Sequence, residues 1–153
     1  FRLATPYAPP SELNTPNIIG HIAESIDRGD PIRLPGKGRP RRDLLHVDDL
    51  SSACEAFVDS VIRHGLYNLG GGPANAVSLR ELVTKMEEAS NAQAVIDEEH
   101  PLPDPVPFNY VTDISRVTQE LDWSPRIAVE EGLKTLFEQR PEASGEQADA
   151  ADV

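Results

Sequence analysis

KGRPRRDLLHVDDLSSA, residues 37–53, places Lys37, Arg39, Arg41 and Arg42 within six positions, runs through a short apolar piece, and reaches two carboxylates ahead of a helical pattern. DLLHV reads as a strand, and Asp48 is a suitable N-cap for the helix after it. From there Leu50, Ala53, Cys54, Phe57, Val58 and Val61 recur at helical spacing and draw one apolar face, with Gly65 ending the run. Cys54 on that face reads as a small buried hydrophobe. A strand passing directly into an amphipathic helix is the unit from which α/β proteins are built.

The same alternation extends outward. FRLATPY opens as an apolar strand. Thr15 offers a capping hydroxyl before Pro16, and Ile18, Ile19, Ile22, Ala23 and Ile26 form a helical stripe up to Gly29. PIRLP, residues 31–35, is a short extended piece. After the central unit, LYNL reads as a buried strand and GGGPANA, residues 70–76, as a loop. Ser78 and Glu81 form an S-x-x-E capping box before the stripe Leu79, Leu82, Val83 and Met86. QAVI is a further strand, and the acidic, proline-rich residues 97–110 are expected as an extended surface loop. Asp113 caps a helix with Ile114, Val117 and Leu121. DWSP breaks the chain, and a last helix over 129–139 buries Leu133, Leu136 and Phe137. Residues 140–153 have almost no apolar side chains to offset ordering entropy and are expected to be a disordered acidic tail.

The 153 residues suffice for one compact domain. With 26 acidic against 14 basic side chains the formal charge is −12, which opposes sequence-independent binding to nucleic acid or anionic lipid. No apolar run approaches the roughly 20 residues that cross a bilayer. One cysteine and the scattered His21, His46, His64 and His100 give no zinc spacing, and a cytoplasmic setting is expected. Phe1 is not a start methionine, so the sequence reads as beginning in mid-fold.

Adjacent Asp48 and Asp49 read as a cap and a dipole-complementing charge rather than an acid/base pair. The glycines of YNLGGGP fit neither G-x-G-x-x-G nor G-x-x-x-x-G-K-[ST]. The basic knot is either a solvated loop or an anion site. For the second, Arg42 matters most, because at the edge of an apolar segment its guanidinium can be held rigidly and present a fork to phosphate oxygens.

The succession FRLATPYAPP, NIIGHIAESIDRGDPIRLPGKG, RRDLLHVDDLSSA, YNLGGGPANAVSLRELV and TDISRVTQELDWSPRIAVEEGLKTL resembles the extended short-chain dehydrogenase/reductase family, in its NAD-dependent nucleotide-sugar epimerase/dehydratase group and near UDP-glucose 4-epimerase. The resemblance spans about residues 1–139 and is to the C-terminal half. It implies an α/β fold: the C-terminal substrate-binding part of an extended Rossmann-type enzyme, lacking the N-terminal dinucleotide-binding half. No tyrosine here has the family's lysine four residues on, so no catalytic residue is expected and the chain alone should be inactive.

By resemblance, Asn17 and Ile18 contact the nucleotide diphosphate, Arg33 and Pro35 bracket the base, Thr5 stands where an asparagine contacts the sugar, and Arg42 binds the diphosphate; Asp43 either orients Arg42 by a salt bridge or solvates the strand edge. The cationic knot would neutralise that diphosphate locally. The first and fourth extended segments would complete the missing sheet. NAD would be held mainly by the absent half, the partner is a nucleotide sugar, and relatives form homodimers. Ala8 for a turn glycine, Pro35 for an aromatic, and PLPD at 101–104 for an arginine-bearing motif depart from the pattern. They leave open a non-catalytic nucleotide-binding or interaction module, or a related reductase with a non-nucleotide substrate.

Overall fold

The structure, a computed structural model, describes residues 1–9, 17–101 and 103–138. Its elements are β1 (Arg2–Leu3), β2 (Thr5–Tyr7), α1 (Ile18–Arg28), β3 (Pro31–Pro35), β4 (Arg41–His46), α2 (Val47–Asp59), β5 (Asn68–Leu69), β6 (Ala76–Ser78), α3 (Leu79–Ser90), β7 (Val95–His100), β8 (Asn109–Tyr110), α4 (Ser115–Leu121) and α5 (Val129–Glu138). Thr15 and Pro16, and the expected tail from residue 140, lie outside the described residues.

β4 organises the architecture. It pairs in parallel with β2 (Thr5 opposite Leu44, Tyr7 opposite His46), antiparallel with β6, and in parallel with β8. Successive side chains of a strand leave opposite faces, so β4 divides two cores. Leu44 lies with Tyr7, Ile19, Ile22, Val83, Met86 and Leu133. Leu45 lies with Ala53, Tyr67, Leu69, Val117 and Trp123. β1 pairs in parallel with β5, and β3 in parallel with β7, in two further small sheets.

The capping box forms as the spacing predicts: the Glu81 amide donates to Ser78 Oγ at 3.1 Å and the Ser78 amide to Glu81 Oε2 at 2.7 Å. Gly29 closes α1 with φ 69°, a left-handed conformation that favours glycine. Gly132 admits a close approach between helix and strand, since a Cβ there would lie 2.0 Å from the Tyr7 hydroxyl.

Several expectations are corrected. α1 is capped by Asn17, whose Oδ1 accepts from the Ile19 and Gly20 amides at 3.0 and 3.1 Å. Ile18 stands 55% exposed, outside the buried stripe. The cap of α2 is His46, not Asp48: its Nδ1 accepts from the Asp48 amide at 3.2 Å, possible because the strand delivers the buried ring directly over the helix start. Asp49 is buried and accepts from the Arg126 and Ile127 amides, both at 3.0 Å, so it anchors the turn before α5. α2 ends at Asp59, well before Gly65; Cys54 is exposed, and Val58 and Val61 are 78% and 91% exposed. The apolar face written into this stretch is wider than the core that covers it. β7 runs to His100, into the expected loop, because β3 supplies a partner strand. α4 starts at Ser115, whose amide donates to Asp113 Oδ1 at 2.9 Å.

These contacts set two measurable outcomes. Asp49→Ala leaves two amide donors without their buried acceptor and should lower folding free energy by about 3 kcal/mol in urea unfolding. Glu81 is held below the usual carboxylate range, chiefly by the Ser78 amide and then its hydroxyl. Its stabilisation is therefore present above the unfolded carboxylate value of about 4.3 and lost as pH falls. The gap in urea midpoint between the parent and Glu81→Gln should be full at neutral pH and close as pH falls below the unfolded carboxylate value.

Candidate functional site

β4 presents Arg42 half-buried at its N-terminal end, where β8 runs alongside. Arg42 Nη1 donates to the Arg41 carbonyl at 2.6 Å and the Phe108 carbonyl at 3.2 Å, and Nη2 donates to the Pro107 carbonyl at 2.9 Å. A guanidinium has five donors in a fixed plane. These bonds leave the Nε hydrogen and one Nη2 hydrogen for another acceptor, on a group whose orientation the carbonyls already set. The cation is pinned rather than splayed into solvent.

Asp43 does not orient it. Strand alternation sends that carboxylate to the other face, where it is fully buried and Oδ2 accepts from the Gly72 amide at 3.1 Å. Asp43 Oδ1 and the buried Thr112 Oγ1 have no protein partner among the described residues. The same alternation divides the basic knot. Arg41 leaves the opposite face and donates through Nη2 to the Ala76 carbonyl at 2.6 Å, so the four cations do not form one cluster around Arg42.

Asn17 lies at the positive end of the α1 dipole, and its Nδ2 donates to the Pro6 carbonyl at 2.7 Å. This ties the helix start to the residue after Thr5, and Thr5 is opposite Leu44, two positions beyond Arg42. Thr5, Asn17, Ile18 and Arg42 are thereby carried on neighbouring elements. Asn17 uses its side chain for capping and for this tie. Arg33 and Pro35 sit on a different sheet, exposed and half-buried, opposite Asp97 and His100 of β7. The Pro107 and Phe108 carbonyls are the site groups that sequence reasoning missed. The only signal was a proline-rich stretch with two aromatics, and pairing with β4 is a long-range fact.

Neither buried tyrosine is set for proton transfer. Burial, and then the charges of Asp49, Glu130 and Glu131, push the Tyr7 hydroxyl far above its ordinary value. Tyr67 is raised by its 2.7 Å bond to Glu120. Among the described residues no group of three or more His, Cys, Asp or Glu side chains is placed to hold a metal, and no helix is long and apolar enough to cross a membrane.

The glycines of residues 70–72 do not fit a dinucleotide. A Cβ at Gly70 would lie 2.2 Å from Asp43 Oδ2, and one at Gly71 2.0 Å from the Leu44 carbonyl. The space beside them is filled by the protein's own atoms and is no open cradle for a phosphate.

Comparison with known proteins places this geometry. The fold is that of part of an extended short-chain dehydrogenase/reductase. MoeE5, solved in complex with UDP-glucuronic acid and NAD, superposes with a TM-score of 0.76 at 25% identity, over 90% of this chain and 44% of its own. Residues 1–70 match the sequence model of the NAD dependent epimerase/dehydratase family, and the chain belongs to that family. CDP-paratose 2-epimerase of Salmonella typhi is 29% identical over 71% of this chain and 32% of its own length. GDP-L-fucose synthase 1 of Arabidopsis thaliana is 30% identical over 74% of this chain and 34% of its own. The chain thus spans about a third of these curated relatives.

If the Arg42 fork fastens the 107–110 segment to β4, Arg42→Ala should raise amide exchange across β8 by about tenfold or more, the scale set by losing hydrogen bonds to a charged donor. Unchanged exchange would mean that the strand ladder alone holds the segment.

Proposed function

We propose that this chain is the nucleotide-sugar-binding part, spanning residues 1–139, of an NAD-dependent epimerase or dehydratase that acts by transient oxidation of the sugar. The observation that supports it is the Arg42 guanidinium, fixed by three carbonyl bonds with two donors remaining. A preset fork loses little entropy on meeting a diphosphate, whereas a mobile lysine would have to be ordered first.

The three relatives named above carry CDP, GDP and UDP in their names or complexes, so the shared element is a nucleoside diphosphate. Arg42 and the N-terminus of α1 suit that shared element. Arg33 and Pro35, on the separate β3–β7 sheet, are assigned to the base that varies. Thr5, at the position of the family's sugar contact, is assigned to the sugar.

NAD and the catalytic tyrosine–lysine pair belong, on this reading, to the rest of the parent enzyme, which is cytoplasmic and a homodimer. Its docking face is the β1–β5 ladder, where Phe1 and Leu3 are each 45% exposed and Leu66 50%. Burying such side chains contributes about 1.5–3 kcal/mol each when complete.

A non-catalytic module descended from such an enzyme is favoured by one feature: the Asn17 amide is already engaged by Ile19, Gly20 and Pro6. Calorimetric titration of the full protein with UDP separates the cases. The parent should bind, and Arg42→Ala should lose about 1.5–3 kcal/mol of binding free energy. Arg42→Lys, which keeps the charge without the fork, should recover only part of that loss. Undiminished affinity in Arg42→Ala removes this residue from the site. Absence of UDP binding by the parent points to a reductase with a non-nucleotide substrate. UDP binding without turnover of any UDP-sugar in the presence of NAD points to the module.

A further inference from the structure

The remaining cations of the knot converge elsewhere. Lys37, Gly38, Arg39, Arg41, Ser78, Arg80 and Glu81 line an open depression of about 380 Å³ at the start of α3. Gly38 is buried against the first turn of that helix, where an added Cβ would lie 3.1 Å from Arg80 Cβ and 3.2 Å from the Arg80 amide. Lys37 and Arg39 therefore flank the helix start from either side of the contact.

Two carboxylates described at this helix start already have partners. Glu81 accepts from the Ser78 amide in the capping box, and Glu98 pairs with Arg80. Arg41 is held in place by the Ala76 carbonyl. Lys37 and Arg39 are exposed and form no ion pair among the described residues. The lining of the depression thus holds four cations and one carboxylate, Glu81, in a chain whose net charge is −12.

The backbone of the turn points the same way. Gly36, Lys37 and Gly38 all have positive φ, at 61°, 59° and 70°. The left-handed conformation costs a side-chain-bearing residue about 1–2 kcal/mol, and glycine avoids that cost. A lysine between two glycines in such a turn stands against local preference, with its charged side chain exposed.

We propose that the Lys37–Arg39 turn, with Arg41 and Arg80, forms a second anion site that takes a multiply charged phosphoryl group. It is separate from the Arg42 grip, because Arg41 and Arg42 leave β4 on opposite faces. The ligand is inorganic phosphate or pyrophosphate, or the phosphoryl group of a small phosphorylated metabolite. The site does not depend on Arg42 binding a nucleotide.

The test is calorimetric titration of the full protein with pyrophosphate, carried out in the Arg42→Ala background so that the other grip is removed. Binding should persist without Arg42 and weaken as salt rises, since exposed charges are screened over about 8–10 Å at physiological strength. The variant Lys37→Asn/Arg39→Gln should lose affinity by about tenfold or more. Asparagine is chosen because it tolerates positive φ, and an unchanged unfolding midpoint without ligand verifies the fold. Parallel titrations with inorganic phosphate and with glucose 1-phosphate distinguish the sources. Tighter binding of the sugar phosphate assigns a metabolite, and equal binding assigns the free anion. The proposal is overturned if pyrophosphate gives no heat in the Arg42→Ala background, if adding Lys37→Asn/Arg39→Gln to it leaves binding equally tight, or if citrate binds as tightly as pyrophosphate.

Discussion

Pairing along both edges of β4 is the constraint on which the rest depends. At Arg41 and Arg42 the strand is flanked at once by β6 and β8, and further along it pairs with β2. This fixes two successive arginines whose side chains must diverge. One is locked by the carbonyls of residues 107 and 108, and the other by the carbonyl of Ala76. Leu44 and Leu45 repeat the divergence further along the strand, each entering a different core. The packing of both cores and the direction of both cationic groups therefore come from one register.

Much of this was legible in the sequence where the determinant is local. The Ser78–Glu81 box, the stop at Gly29 and the stripe Leu133, Leu136 depend on residues within one or two turns, and each forms. Arg42 was legible as the cation adjoining an apolar strand. The α2 face was misread because periodicity reports an apolar stripe, not what covers it: Ala53 is buried, while Cys54, Val58 and Val61 on the adjoining stripe are exposed. The Pro107 and Phe108 carbonyls carry no side-chain signature. The Asp43–Arg42 pair failed for a reason that was available, since neighbours on a strand face opposite ways.

The electrostatic design separates scales. A strongly acidic chain repels polyanions at a distance, and the proposed diphosphate grip requires the fixed donors of one guanidinium to outweigh, at a few ångströms, the screened remainder. What holds Arg42 in place is physical: three backbone carbonyls tether the fork, and its assignment to a diphosphate is the proposal made above. The basic knot, read as one feature along the sequence, is two features in space.

The β1–β5 ladder bears on behaviour in solution. Among the described residues the two short parallel strands pair only with each other, beside the exposed side chains of Phe1, Leu3 and Leu66. An open strand edge templates adhesion between like molecules unless something shields it. Wherever the ladder is left uncovered, the formal charge of −12 makes mutual repulsion the remaining shield, so colloidal behaviour of these residues on their own should hinge on ionic strength: brine that quenches the repulsion would favour clumping.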